Sequence, residues 1–377
     1  MTNYIYQQED WPNFTWDDKN LIFSLGRVRN LQGKLIGKMT SFGVLQENEA
    51  ILKTMTLDII KSSEIEGEKL NLEQVRSSVA RHLKINISGM VPSGRDVDGM
   101  VEMITDATQN YQKPLTKERL FSWHTALFPD GQSGIHPIAI GDWRKDENGP
   151  MLVVSGHAGK EKIHYQAPEA SAIPAEMHQF LSWVNQEENG RDESRTDPVI
   201  KAGVAHLWFV TIHPFDDGNG RIARAISDLL LARADGSAQR FYSLSAQIQK
   251  ERKNYYAMLE KTQKGTTDIT EWLSWFLNCL ERALIEADNI LKKILQKADF
   301  WKTHAQTPLN ERQRLMINKL LDGFDGKLQT SKWAKITKCS TDTALRDIKD
   351  LIGKDILKQD PKGGRSTSYI LVEFEKP

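Results

Sequence analysis

The stretch Val199–Ile212 is apolar on nearly every side: Ala202, Val204, Ala205, Leu207, Trp208, Phe209 and Val210 leave little to face water. A helix without a polar face has to lie in the middle of a fold. Asp197 and Pro198 supply its start, a capping carboxylate followed by proline at the first helical position. The chain is therefore predicted to wrap its other elements around a buried helix, and that helix runs directly into a polar loop, His213-Pro214-Phe215-Asp216-Asp217-Gly218-Asn219-Gly220-Arg221, followed by Arg224. A rigid apolar scaffold ending in a loop is how proteins present reactive groups.

The loop has the composition of an anion site. Gly218 and Gly220 let a ligand approach the backbone and its N–H groups. Ile222, Ile226, Leu229 and Leu230 then recur at helical spacing, so a second helix opens here. A glycine loop entering a helix is a ready phosphate site, and Arg221 and Arg224, three residues apart, share one face of that helix. The chain contains no Gly-x-x-x-x-Gly-Lys-Ser/Thr, which excludes a P-loop.

The rest of the chain is predicted to be mainly α. Formal net charge is zero, with 39% hydrophobic and 27% charged residues, as in an ordinary globular protein, so no polyelectrolyte partner is implied for the whole chain. No apolar run approaches the roughly eighteen residues of a membrane helix. Met1 to Trp11 lacks the basic start and apolar stretch of a signal peptide. Cys279 and Cys339 have no metal-ligand spacing and suggest two buried thiols in a reduced, cytoplasmic setting. On that basis the sequons at Asn13 and Asn86 are coincidental.

Residues 1–110 read as a helical region behind an aromatic start, Trp11, Phe14 and Trp16, that anchors the terminus. Apolar periodicity predicts helices over Leu21 to Met39 and Asn48 to Ile60. The second leads into Ser62-Ser63-Glu64-Ile65-Glu66-Gly67-Glu68, which alone reads as a helix end with a glycine stop. Thr116 caps a helix that carries His124, a core histidine rather than a ligand. Met151 to Gly156 is the clearest strand in the chain and Lys162 to Tyr165 the next, together an isolated hairpin suited to an exposed flap. Tyr255, Tyr256, Leu259 and Gln263 lie on one later helix, and Trp272, Trp275 and Phe276 on another. Residues 301–309 read as a linker. Residues 310–377 resemble a winged helix-turn-helix: helices over Asn310 to Leu321, around Ser331 to Ile336 and from Thr341 to Ile352, then an extended wing from Ile356 to Leu371 interrupted at Gly363-Gly364-Arg365. From Pro308 onward there are 14 Lys and Arg against 10 Asp and Glu, compatible with contact to either DNA or protein.

The loop resembles the signature of the Fic (filamentation induced by cAMP) family, His-x-Phe-x-Asp/Glu-Gly-Asn-Gly-Arg-x-x-Arg, at every specified position. The resemblance implies a Fic-fold helical core over 111–300 with the flap at about 150–166. It also implies an adenylyltransferase that moves AMP from ATP to Ser, Thr or Tyr hydroxyls of a target protein or of itself. His213 then acts as general base and Asp217 holds Mg²⁺. Gly218, Asn219 and Gly220 cradle the transferred phosphate with backbone and amide donors, Arg221 and Arg224 hold the outer phosphates, and Phe215 anchors the loop. A phosphate-transferring branch of the family carries Lys where this chain has Gly220, so the glycine favours AMP transfer. Val153, Val154, Ser155 and Gly156 correspond to the flap strand that aligns the target by main-chain pairing. Tyr256 and Gln263 are candidates for the adenosine pocket.

Ser62-x-x-x-Glu66-Gly67 is similar to the family's inhibitory motif, and the resemblance implies that Glu66 pairs with Arg224 and holds the enzyme in check. It leaves a second role open, in which Glu66 orients water to remove AMP from a modified target. A competing reading makes the chain a DNA-binding regulator through 310–377, with the Fic domain as accessory. Dimers regulate several relatives, and the oligomeric state of this chain stays open.

Overall fold

The computed structural model describes residues 4–40, 42–147, 149–156, 162–186, 196–324, 326–361 and 367–372. The expected break at Gly363-Gly364-Arg365 lies outside them. The chain divides into two compact units, Met1–Asp288 and Asn289–Pro377.

The first unit is built around two helices, α7 (Pro198–Ile212) and α8 (Asn219–Asp235), which pack along each other on either side of the polar loop. Every residue of α7 from Val199 to Ile212 is buried, as its composition requires. Asp197 caps it by accepting from Val199 N at 2.7 Å. Around this pair lie α1 (Asp18–Met39), α2 (Val44–Ile65), α3 (Leu72–His82), α4 (Arg95–Gln109), α5 (Lys117–Leu127), α6 (Ile173–Asn185), α9 (Leu244–Lys250) and α10 (Arg252–Gln263). The last helix, α11 (Thr270–Thr303), starts in this unit and ends in the second. Trp272 on α11 donates its indole N–H to Gly203 O at 2.8 Å, and a Cβ at Gly203 would lie 3.0 Å from Leu273, so glycine lets α11 lie close on α7. The aromatic start packs where expected: Trp11 and Phe14 set their rings against Trp208 of α7, with centroids 6.2 and 5.6 Å away.

Two short antiparallel pairs interrupt the helices. The hairpin read from sequence is β3 (Leu152–Ser155) with β4 (Lys162–Gln166), and among the described residues it pairs with no other strand. Before it stands a smaller pair, β1 (Gln132–Ser133) and β2 (His136–Pro137), joined through Gly134. In the second unit α12 (Glu311–Leu321), α13 (Thr330–Thr337) and α14 (Thr341–Gly353) pack with an antiparallel pair, β5 (Leu357–Gln359) and β6 (Tyr369–Leu371). Trp333, Met316, Ile317, Ile348 and Leu351 fill its core. Cys279 is buried as expected, whereas Cys339 is only partly covered.

Close helix packing sets one prediction. On α4, a Cβ at Gly99 would lie 1.8 Å from Ala126 O, where α4 crosses α5, while one at Gly26 on α1 would meet nothing within 4 Å. Gly99→Ala is expected to lower stability by about 1–3 kcal/mol or more through forced separation of the helices. Gly26→Ala is expected to raise it by up to ~1 kcal/mol through helix propensity alone. Denaturant midpoints of the two variants check the pair.

Candidate active site

The reactive loop is held rigidly from below. α7 ends at His213, whose φ of 52° is left-handed, and its N–H closes the last helical turn on Phe209 O at 3.0 Å. The ring Nδ1 lies 3.2 Å from Val210 O. A carbonyl only accepts, so Nδ1 carries the proton and Nε2 keeps a lone pair. Burial is the largest cause of a His213 pKa lowered to about 4, with Arg144 adding to it.

Arg144 is the main fastener of the loop. It donates Nε to His213 O at 2.8 Å and its main-chain N–H to Pro214 O at 2.9 Å, while Asp146 lies 2.7 Å from Nη1. Phe215 is fully buried and stacks on His124 with centroids 4.2 Å apart. His124 is thus a core residue, and burial lowers its pKa to about 4. Asn219 serves the loop rather than a ligand with its side chain. Its Oδ1 accepts from Phe215 N at 3.0 Å and its Nδ2 donates to Phe215 O at 2.7 Å. What Asn219 offers a bound anion is its main-chain N–H in the first turn of α8, ahead of the first intrahelical bond, Ile222 N to Gly218 O. Gly218 has φ 83°, and a Cβ there would press on Phe128 at 2.9 Å.

Asp217 lies at the edge of the loop with its side chain about half exposed. Its Oδ1 accepts from Gly218 N at 2.5 Å, and Ser133 of β1 donates its hydroxyl to Oδ2. Among the described residues no group of three or more His, Cys, Asp or Glu could hold a metal alone. A single open carboxylate beside a hydroxyl fits Mg²⁺, which takes few protein ligands and completes its shell with water and phosphate oxygens. Arg221 and Glu68 line a cleft there, together with Lys69, Arg95, Phe128 and Ser133.

Both arginines are engaged by the end of α2. Arg224 is 1% exposed; its Nε and Nη2 donate to Ser62 Oγ and Ser62 O, each at 2.9 Å. Its Nη1 lies 2.8 Å from Glu66 Oε1, an ion pair that closes the site. Burial is the largest single influence on the Arg224 pKa and lowers it, but the charge and hydrogen bond of Glu66, with Tyr255 and Tyr256, together outweigh it and the net shift is upward. Arg221 is held by Glu68, with Nη1 2.9 and 2.8 Å from the two carboxylate oxygens, and its buried Nε has no hydrogen-bond partner among the described residues. The two carboxylates owe their placement to the helix stop. Glu68 N bonds Ser63 O at 3.0 Å, Gly67 N bonds Glu64 O at 3.1 Å, and Gly67 has φ 89°, which is a Schellman cap. Tyr256 OH lies 3.3 Å from Glu66 Oε2, and Arg252 donates to Ile65 O at 2.6 Å, so α10 supports the same turn. A Cβ at Gly220 would sit 2.3 Å from Glu66 Oε1.

The structure brings His213, Asp217, Gly218, Gly220, Arg221 and Arg224 together with Ser62, Glu66 and Gly67. Tyr256 stands beside Glu66. Gln263 is turned away: it is 5% exposed, and its amide donates to Val210 O and Thr211 Oγ1 on α7, a structural tie rather than an open pocket wall. Val153 to Gly156 lie on the exposed hairpin. Sequence reading missed Arg144, Ser133 and Glu68. Only Glu68 carried a signal, as the last member of the acidic cluster.

Residues 114–231 match the Fic/DOC family, and residues 4–85 match a domain of unknown function, DUF4172. The protein adenylyltransferase Fic of Drosophila virilis is 27% identical over 234 residues, covering 60% of this chain and 41% of that protein. The protein of the same name from Aedes aegypti is 26% identical over 228 residues, 60% of this chain and 40% of that one. The chain thus spans less than half the length of these relatives. Among solved structures, a Fic family protein from Desulfovibrio desulfuricans G20 aligns over 94% of this chain and 97% of its own, with a TM-score of 0.51 at 18% identity. A Fic domain containing signaling protein from Bacteroides thetaiotaomicron aligns over 71% of this chain and 98% of its own, with a TM-score of 0.51 at 22% identity. These likenesses establish the fold, and the Fic/DOC match over residues 114–231 takes in the whole polar loop from His213 to Arg224.

Proposed function

We propose that this chain transfers AMP from ATP to hydroxyl groups of protein substrates, itself included, and that Glu66 and Glu68 hold it in a resting state. The observation that carries the reading is His213 Nε2, left as a lone pair at the mouth of a helix N-terminus that also presents two buried arginines. The acceptor oxygen attacks the α-phosphorus, the bond from that phosphorus to the bridging oxygen breaks, and pyrophosphate leaves. His213 Nε2 takes the acceptor's proton. The first N–H groups of α8 stabilise charge on the transferring phosphate. Arg221 Nε, without a hydrogen-bond partner among the described residues, and Arg224 Nη1, once Glu66 withdraws, are donors for the outer phosphates. Asp217 would hold Mg²⁺, which would supply charge neutralisation to the leaving group. The edge of β3 from Val153 to Gly156 receives the target segment.

Resting control follows from charge. Each arginine that ATP needs already has a carboxylate, and both carboxylates come from one helix cap. ATP must displace them or bind with its outer phosphates misplaced. The second unit we read as a winged helix over 310–377, with Arg346 and Lys349 exposed on α14.

Glu66→Gly is expected to raise AMP incorporation from labelled ATP by about tenfold or more, since it returns one charge-assisted bond to the phosphates. Glu68→Gln is expected to raise it further in the same background; no gain from either change would remove the resting-state reading. His213→Ala in the Glu66→Gly form is expected to lose about 10²- to 10⁴-fold.

The pH profile has a sign that follows from burial. His213 works as a neutral base and its pKa is lowered, so kcat/KM holds as pH falls through 6.5 and is lost as pH approaches about 4. An acidic limb above 6.5 would mean that another group is the base.

A further inference from the structure

β4 carries one residue more than β3 at the middle of the hairpin. Val153 faces Tyr165 and Val154 faces Ile163, so His164 is the extra residue of a β-bulge. A bulge re-aims the side chain it carries, and bulges recur beside functional sites. Here the imidazole bridges two elements: Nε2 lies 2.6 Å from Ser155 Oγ on β3, and Nδ1 lies 2.6 Å from Glu260 Oε2 on α10. Glu260 also faces Lys264 at 2.7 Å, the C-cap residue of its own helix, and Lys162 at 3.8 Å on β4. Hydrogen bonds from Lys264 and then His164 bring the Glu260 pKa down to about 2, so the carboxylate stays charged at working pH. A hydroxyl both donates and accepts, and so the Ser155 bond survives whether the imidazole is neutral or charged.

Nucleophile, base and acid stand here in the order of a hydrolase triad. Ser155, however, sits on the exposed end of the hairpin, where water competes with any donor for a developing oxyanion, and the arrangement fits a strap better than a second catalytic centre. The base of the hairpin is fixed separately. Tyr165, fully buried, donates its hydroxyl to Thr211 O at 2.7 Å, two residues before His213. The hairpin is thus pinned at two heights: to α7 below, and through His164 to α10 above.

We propose that His164 and Glu260 are positioning residues for the protein substrate: they hold the free edge of β3 where an acceptor strand must lie to bring its hydroxyl to His213. The proposal rests on the reading of the hairpin as the target-binding flap.

The test compares His164→Ala and Glu260→Gln, each in the Glu66→Gly form, with that form alone. Amide hydrogen exchange at Val153 to Ser155 is expected to quicken by about tenfold in both, the scale set by losing one charge-assisted hydrogen bond. With labelled ATP and a soluble lysate titrated as acceptor, the lysate concentration for half-maximal AMP incorporation is expected to rise several-fold, while KM for ATP stays within about twofold. Unchanged exchange would overturn the proposal. So would a rise in KM for ATP matching the rise in acceptor requirement, because the bridge would then serve α10 and the nucleotide. If the Glu66→Gly form transfers no AMP at all, the transferase reading fails, and the exchange rates alone still decide whether His164 straps the hairpin.

Discussion

A guanidinium buried as deeply as Arg224 has to be compensated, and the chain meets that requirement with the end of α2. Removing water from an arginine is costly unless charge and hydrogen bonds replace it. Ser62 supplies two acceptors from one residue and Glu66 the opposite charge. The consequence reaches across the first unit. The N-terminal helices have to dock where α8 begins, the helix cap has to turn through Gly67, and Gly220 has to lack a side chain for Glu66 to fit. Glu68 follows from the same turn, because a Schellman cap brings the second residue after the helix back over its last turn. One local backbone motif thereby sets two carboxylates against two arginines.

A constraint of another kind holds the reactive loop. Its rigidity comes from satisfied polar groups rather than from regular structure: Arg144 closes on His213 O and Pro214 O, and Asn219 closes on both main-chain groups of Phe215. Buried polar groups that are fully paired specify one conformation. Arg221 Nε lacks a hydrogen-bond partner among the described residues, and Arg224 Nη1 has only the Glu66 carboxylate opposite it.

What could be read beforehand was whatever depends on residue type and short spacing. The burial of α7 follows from its lack of a polar face, the caps at Thr116 and Asp197 from local hydrogen-bond chemistry, and the isolated hairpin from its β-branched run. The loop's residues were legible because they lie within twelve positions of one another. What depends on approach between distant segments was not. Arg144 reads as a surface arginine until α7 arrives beside it. Asn219 has the look of a ligand donor until Phe215 takes both ends of its amide. Gln263 occupies a plausible position on α10 yet turns into α7, because its amide finds Val210 O and Thr211 Oγ1 there. The bulge at His164 depends on register between strands, which alternation alone does not reveal.

The account stands on the claim that the two arginines are occupied when no nucleotide is bound. Calorimetric affinities for ATP and for AMP, each with Mg²⁺, test it most directly. In the unaltered chain the outer phosphates gain little, so ATP is predicted to bind only slightly more tightly than AMP. With Glu66→Gly and Glu68→Gln combined, the preference for ATP is predicted to widen by about tenfold or more, as freed guanidinium donors meet phosphate oxygens. The same ratio in both proteins would contradict the claim.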